Sequence, residues 1–144
     1  MIEVLGYYKK NVNYEIEYNK SINVVNIETE LMSDECIPHR ESTGCMIWLD
    51  KDMLLGEMEC ISPTISEVDI HKENIEDGES GTPQLRINFE EKPIGLCITE
   101  DRLIIIFDNE KEIEKKSISS NIVFYLNDSK VIALECSSFK VVEE

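Results

Sequence analysis

The stretch CMIWLDKDMLLGEMECI, residues 45–61, contains the pattern that decides the fold. Its apolar residues stop at the polar segment Asp50-Lys51-Asp52 and resume at Met53 and Leu54. An apolar run that ends in an aromatic residue, a short polar turn and an apolar return segment together indicate a β-hairpin. Asp50 and Asp52 fit the turn, since aspartate side chains accept hydrogen bonds from nearby backbone amides.

A second stretch, IVFYLNDSKVIALECS (residues 122–137), repeats this arrangement with one gap placed in the turn. In both stretches the return strand ends in an apolar residue followed by Glu and Cys. The two hairpin units, about residues 45–61 and 122–137, indicate either an internal duplication or the features that all hairpins share.

Alternation of apolar and polar residues with a period of two predicts strands elsewhere in the chain. It is clearest around Tyr14–Tyr18, Val25–Leu31, Val68–Ile70 and Leu85–Phe89. The continuous apolar run Leu103–Phe107 favours a central strand covered on both faces. Further strand candidates are Cys45–Leu49, Leu54–Ile61, Ile94–Ile98, Ile122–Leu126, Val131–Ser137 and Phe139–Val142.

Three polar segments interrupt the strands. Met32–Ser42 and Glu73–Pro83 contain Pro or Gly and are interpreted as loops, and Asn109–Ser120 fits a short helix or a polar strand. The predicted fold is therefore mainly β: residues 1–144 form a single domain, an antiparallel curved sheet or sandwich with at most one short helix.

Charge is the strongest functional signal. The 144 residues include 30 acids and 14 bases, which gives a net charge of −16 at pH 7. The apolar fraction of 42% excludes a disordered acidic tail. An acidic surface argues against direct binding to nucleic acid or to an anionic membrane, and favours a basic protein partner.

The chain has no apolar run long enough to span a membrane and no signal-peptide pattern at its N-terminus. The five cysteines are an odd number, form no Cys-x-x-Cys pair and lie mostly in apolar runs. These features predict a cytoplasmic protein with reduced, buried thiols.

A zinc site would need four ligands, usually in two close pairs. Cys36, His39 and Cys45 offer three ligands, with His71 or Cys60 as a fourth, but the second close pair is missing. The sequence also lacks a calcium loop and a phosphate-binding loop, and neither histidine follows a nucleophile elbow. We therefore predict no metal, no cofactor and no enzymatic activity.

The segment Ile47–Asp52 followed by Leu55–Cys60 resembles the hairpin of a small bacterial family of uncharacterised β-rich proteins, some of which are described as antitoxins. Tyr18-Asn19-Lys20 resembles that family's opening Tyr-Asp strand, with Asn19 in place of the aspartate. The resemblance covers residues 14–62 and implies no catalytic residue. In size, acidity and predicted β content, the whole chain also resembles the immunity proteins that neutralise bacterial polymorphic toxins.

Two regions are candidates for the contact with a basic partner. Trp48 is the only tryptophan and is close to Asp50 and Asp52, although a tryptophan between Ile47 and Leu49 also fits the core. The segment 33–42 contributes His39 and Glu41. The densest acidic run, which could equally be an ordinary solvated face, contributes Glu67, Asp69, Glu73, Glu76, Asp77 and Glu79.

Together these observations predict an immunity protein that binds and inhibits a basic bacterial toxin domain by electrostatic and steric occlusion. The favoured target is the nuclease domain of a contact-dependent or secreted polymorphic toxin, because nucleases need a basic groove to hold a phosphate backbone. One alternative is a structural or assembly β domain that self-associates. Another is a small-ligand or metal-binding domain.

Overall fold

The inward-facing side chains of two β-sheets meet in one apolar core. A computed structural model describes residues 1–66, 70 and 74–143. Within these residues the regular secondary structure consists of β-strands, without a helix. In this part of the chain, no helix is long and apolar enough to cross a membrane. The described strands are β1 (Ile2–Tyr8), β2 (Glu15–Asn19), β3 (Val24–Glu28), β4 (Ile37–Ser42), β5 (Cys45–Leu49), β6 (Leu55–Ile61), β7 (Thr64–Ile65), β8 (Glu76–Asp77), β9 (Thr82–Ile87), β10 (Gly95–Ile98), β11 (Leu103–Ile106), β12 (Lys115–Ser119), β13 (Ile122–Asn127), β14 (Lys130–Cys136) and β15 (Lys140–Val142).

The strands form a large sheet and a small sheet. The large sheet runs β7-β10-β11-β14-β13-β12-β8, and β1 pairs with both β14 and β9. The small sheet runs β15-β2-β3-β6-β5-β4. Three short pairings, β7 with β10, β8 with β12 and β15 with β2, are parallel, and the other described pairings are antiparallel. The predicted mainly β fold is confirmed, with sheets of mixed direction.

Alternating burial explains how each sheet contributes to the core. In β2, Ile16 and Tyr18 are buried while Glu15 and Glu17 are exposed. Because successive side chains on a strand point to opposite faces, burying one set places the other set in water. The hydrophobic effect therefore holds both sheets together through their apolar faces.

The central strand β11 is buried on both faces, as the apolar run predicts. Leu103 and Ile105 pack in the core that the two sheets share. Ile104 belongs to a second cluster on the opposite face of the large sheet, together with Tyr125. Ile70, Ile75 and Ile113 pack against this second cluster. A segment of the chain thus covers part of the large sheet's outer face.

The two predicted hairpins are present, one in each sheet. β5 and β6 pair in the small sheet, and β13 and β14 pair in the large sheet. Each has a register irregularity at the equivalent place, Trp48/Leu49 in one and Tyr125/Leu126 in the other. Their inward side chains share the same core. An internal duplication would produce this equivalence, and it stays a prediction.

Several boundaries differ from those predicted. Of the two alternatives for residues 109–120, the polar strand is confirmed, since the segment contains β12, which pairs with β13. The segments predicted to be loops contain β4, β8 and the start of β9. Pro38 and Pro83 are tolerated because, among the described residues, β4 and β9 each pair with a strand on one side only. β1 was not predicted, since its sequence lacks clean alternation. The predicted strand at 68–70 lies largely outside the described residues.

Tyr14, just before β2, joins the small sheet to the β12–β13 hairpin. Its hydroxyl lies 2.8 Å from the Ser119 hydroxyl, and its ring packs edge-on against Phe124 with 6.5 Å between centroids. The side chain of Asn121 donates to the Tyr14 carbonyl at 2.8 Å. Burial is the main cause that raises the pKa of Tyr14 to about 12, so the phenol is neutral at physiological pH.

Replacing Ile105 by Ala should lower the free energy of unfolding by about 2–5 kcal/mol, since it leaves a cavity in the shared core. Ile118→Ala is the matched control, because Ile118 lies on the large sheet but is 52% exposed. The control should change stability by about 0.5 kcal/mol or less. Urea unfolding followed by circular dichroism measures both, and equal losses would contradict the placement of the core.

Candidate protein-binding face

A row of glutamates crosses the outer face of the small sheet and ends at Trp48. Glu15 on β2 lies opposite Glu28 on β3, and Glu28 lies opposite Glu57 on β6. Glu57 in turn lies opposite Trp48 on β5. Directly opposite residues share a face and have Cβ atoms about 4.5–5.5 Å apart. We call these four side chains the glutamate row.

A second row runs beside the first. Cross-strand pairing places Glu17 opposite Asn26, Asn26 opposite Glu59, and Glu59 opposite Met46. We define the acidic face as Glu15, Glu17, Glu28, Glu57 and Glu59 together with Met46 and Trp48. Trp and Met are enriched at protein interfaces, and here they border the carboxylates.

Trp48 points outward and is half-buried, between the buried residues Ile47 and Leu49. The alternative that placed its side chain in the core is therefore wrong. The five glutamates of the acidic face were missed as a site by sequence reasoning. Their alternation with apolar residues indicates that they face water. Alternation does not predict which strands pair, so it could not show that these glutamates lie together.

The acidic face is not neutralised by any cation among the described residues. Within residues 1–66, 70 and 74–143, no lysine or arginine forms an ion pair with any of its five glutamates. Partial burial raises the pKa of Glu57, and the charges of Glu28 and Glu59 raise it further against the opposing effect of a hydrogen bond from Asn26. Like charges directly across a sheet destabilise it, so the face keeps a repulsion that a cationic partner would relieve.

The predicted contact residue Asp50 shapes the hairpin turn. Its Oδ1 atom accepts hydrogen bonds from the backbone nitrogens of Asp52 at 2.9 Å and Leu54 at 3.0 Å. The turn is also fastened to β9 of the large sheet, because the Gln84 side chain donates to the Asp52 carbonyl at 3.1 Å. The prediction that Asp50 orders the turn is confirmed, and a partner contact at Asp50 or Asp52 stays a prediction.

The predicted contacts at His39 and Glu41 lie on β4, an edge strand of the small sheet. His39 is half-buried opposite Ile47. Glu41 is 0% exposed and forms ion pairs with Lys92 and with the amino group of Met1. Buried charges require such compensation. In this conformation the Glu41 carboxylate is held inside the protein and is not accessible to a partner.

The predicted acidic run is only partly described. Glu67, Asp69 and Glu73 lie outside the described residues. Glu76 and Asp77 form the exposed edge strand β8, and Asp77 lies 3.7 Å from the Lys116 ammonium. Glu79 is also exposed. These residues follow an edge of the large sheet, whereas the acidic face belongs to the small sheet.

The candidate zinc ligands have other contacts. The Cys36 thiol donates to the Leu31 carbonyl at 3.4 Å, and the Cys45 thiol pairs with that of Cys60. His71 lies outside the described residues. In the described part of the chain, no three His, Cys, Asp or Glu side chains are grouped so that they could hold a metal ion.

No protein-family model matches the chain, and no curated protein matches it. The resemblance of residues 14–62 to antitoxin-like proteins therefore stays a prediction.

Asp50→Ala should lower the free energy of unfolding by about 2 kcal/mol, because two backbone amides in the turn lose a charged acceptor. Asp52→Ala removes the same charge from the same turn but no such acceptor, and should cost about 0.5 kcal/mol or less. Thermal unfolding of both variants tests this difference. A larger loss for Asp52→Ala would contradict the assigned turn.

Glu57→Gln should stabilise the protein at pH 7 by about 0.5–1 kcal/mol, since it removes a partly buried charge and the repulsion of that charge with Glu28 and Glu59. Because the folded-state pKa of Glu57 is raised from 4.5, its ionisation opposes folding above its folded pKa and has no effect below the unfolded value. The gain should therefore disappear as the pH falls below about 4.5.

The control for this prediction is Glu100→Gln, an equal charge change at an exposed bend away from the acidic face. Thermal unfolding between pH 4 and 8 measures both variants. Equal gains from both would mean that total charge, and not the glutamate row, causes the repulsion.

Proposed function

We propose that this protein is a non-enzymatic immunity protein that binds and inhibits a basic bacterial toxin domain through its acidic face. The observation that carries the proposal is the glutamate row, in which three carboxylates that pair with no cation among the described residues end at an outward tryptophan. The favoured target is the nuclease domain of a contact-dependent or secreted polymorphic toxin.

Electrostatics explains both encounter and inhibition. A negative, rigid surface steers a basic partner from a distance and raises the association rate at low salt. A nuclease binds the phosphate backbone with lysine and arginine side chains. The same side chains would pair with the acidic face, so that the inhibitor occupies the substrate groove while Trp48 and Met46 supply apolar anchors.

A comparison of the two outer sheet faces favours the small sheet as the binding face. Apolar side chains from the segments around Ile75 and Ile113 cover part of the large sheet's outer face, where Tyr125 occupies the place equivalent to Trp48. Among the described residues, the acidic face has no such cover, and Trp48 stays half-exposed. The outer face of the small sheet is therefore open where the equivalent part of the large sheet is covered. An open face is available to a partner.

The alternative of self-assembly through strand edges has less support. β7 and β8 are only two residues long, and β15 has three. β4 and β9 contain Pro38 and Pro83, which cannot donate a backbone hydrogen bond. Short strands and proline are devices that discourage pairing between sheet edges.

A cytoplasmic location fits the proposal, because an immunity protein must meet its toxin inside the cell. All five cysteines are free and buried, as expected for a reducing compartment. The charge favours a protein partner over nucleic acid or an anionic membrane.

The test searches the reading frames next to this protein's gene for a basic toxin domain and uses that domain as the binding partner; the absence of such a frame counts against the proposal. Co-expression with this protein should prevent the growth arrest that the domain causes alone, and the purified pair should bind with an affinity that falls steeply with salt. Absence of both protection and binding would overturn the proposal for this partner class.

The triple variant Glu15→Gln, Glu28→Gln and Glu57→Gln should weaken the complex about 100-fold or more, since each carboxylate loses a charge pair. The matched control is Glu76→Gln, Asp77→Asn and Glu79→Gln, which removes the same charge from the large sheet and should weaken it less than about threefold. Titration calorimetry measures both affinities, and thermal unfolding verifies that both variants fold. A stronger effect from the control would move the contact to residues 76–79 and contradict the acidic face.

A further inference from the structure

Two cysteine side chains face each other inside the small sheet. Cys45 on β5 lies directly opposite Cys60 on β6, and their Sγ atoms are 3.7 Å apart. The two residues are 1% and 0% exposed. The two sulfur atoms are within hydrogen-bond distance of each other.

The backbone geometry of this pair suits a covalent link. The next pair along the hairpin is hydrogen-bonded, because the Ile61 nitrogen donates to the Gly44 carbonyl at 2.7 Å. Hydrogen-bonded and non-hydrogen-bonded pairs alternate along an antiparallel ladder, so Cys45 and Cys60 form a non-hydrogen-bonded pair with a Cα separation of about 4.5 Å. Disulfides span Cα separations from about 4.4 Å upward.

We propose that Cys45 and Cys60 are a reversible disulfide site that links β5 to β6 when the protein meets a small-molecule disulfide. The inference is independent of the proposed function, since it rests only on the geometry of the thiol pair. Its consequence for that function is local, because β5 carries Trp48 and β6 carries Glu57 and Glu59.

The chemistry balances as two thiol–disulfide exchanges. One cysteine thiolate attacks a sulfur of oxidised glutathione and releases one glutathione thiolate, which takes up the proton that the cysteine lost. The second cysteine thiolate then attacks the mixed disulfide and releases a second glutathione. The two protein thiols are oxidised, and one glutathione disulfide is reduced to two thiols.

The exchange should be slow and should begin from an opened edge. The hydrogen bond with Cys60, followed by burial, raises the pKa of the Cys45 thiol well above its usual value, so little thiolate forms in the closed sheet. β5 is separated from the edge of the small sheet only by β4. Local opening of this edge would admit the oxidant.

The other cysteines are poorer candidates for this bond. Cys97 lies in the second cluster on the outer side of the large sheet. Cys136, whose pKa is raised by burial and also by the nearby Glu135 and Cys60, belongs to the opposite sheet. Packed sheets are about 10 Å apart, which exceeds the Cα separation that a disulfide can span.

The experiment incubates the full-length reduced protein with oxidised glutathione at pH 8. Intact mass should fall by about 2 Da, and thiol titration after denaturation should fall from five free cysteines to three. Proteolysis without reductant should yield one peptide pair, linked through Cys45 and Cys60. The oxidised protein should show a Tm about 5–10 °C higher, because the bond closes the loop of residues 45–60.

Cys45→Ala and Cys60→Ala should each abolish the mass change, whereas Cys97→Ala, a buried cysteine in the other cluster, should retain it. Peptide mapping of the unaltered protein decides the question if a variant fails to fold. A bond to Cys136, or five titratable thiols after a treatment that oxidises the urea-unfolded protein, would overturn the proposal.

Discussion

The structure depends on the burial of two apolar sheet faces in one shared core. Ile16, Ile27, Met58 and Ile47 point inward from four neighbouring strands of the small sheet. Successive side chains on a strand point to opposite faces of the sheet. Burial of these four residues therefore places the neighbouring residue on each strand on the outer face. Register then aligns Glu15, Glu28, Glu57 and Trp48 in one row. The acidic face is thus a direct consequence of how the core is packed.

Buried carboxylates have cationic partners, whereas those of the acidic face do not among the described residues. Glu41 and Glu135, which are 0% and 9% exposed, have cationic partners in Lys92 and Arg102, as buried carboxylates require. The acidic face has no equivalent cations among the described residues. A magnitude of about 2–8 is sufficient net charge for a soluble small domain, whereas this chain carries −16. The excess adds electrostatic repulsion at the surface, which a bound cationic group would relieve.

The two hairpins place related sequences in different surroundings. In the large sheet, Tyr125 is 4% exposed and its hydroxyl donates to Glu135, while apolar side chains pack over the cluster. In the small sheet, Trp48 occupies the equivalent strand position but stays half-exposed beside glutamates. The two hairpins therefore have the same form. They differ in whether other segments of the chain cover their outward side chains.

The sequence by itself determined the β class, the two hairpins, the buried central strand at 103–107 and the outward direction of the alternating glutamates. These features follow from local spacing, which the two faces of a strand convert directly into burial. Only the tertiary structure decided that Glu15, Glu28, Glu57 and Trp48 form one row, that Glu41 is buried against Lys92, and that Cys45 meets Cys60. Each of these depends on which strands become neighbours and in which register, and register is set by packing between segments far apart in the chain.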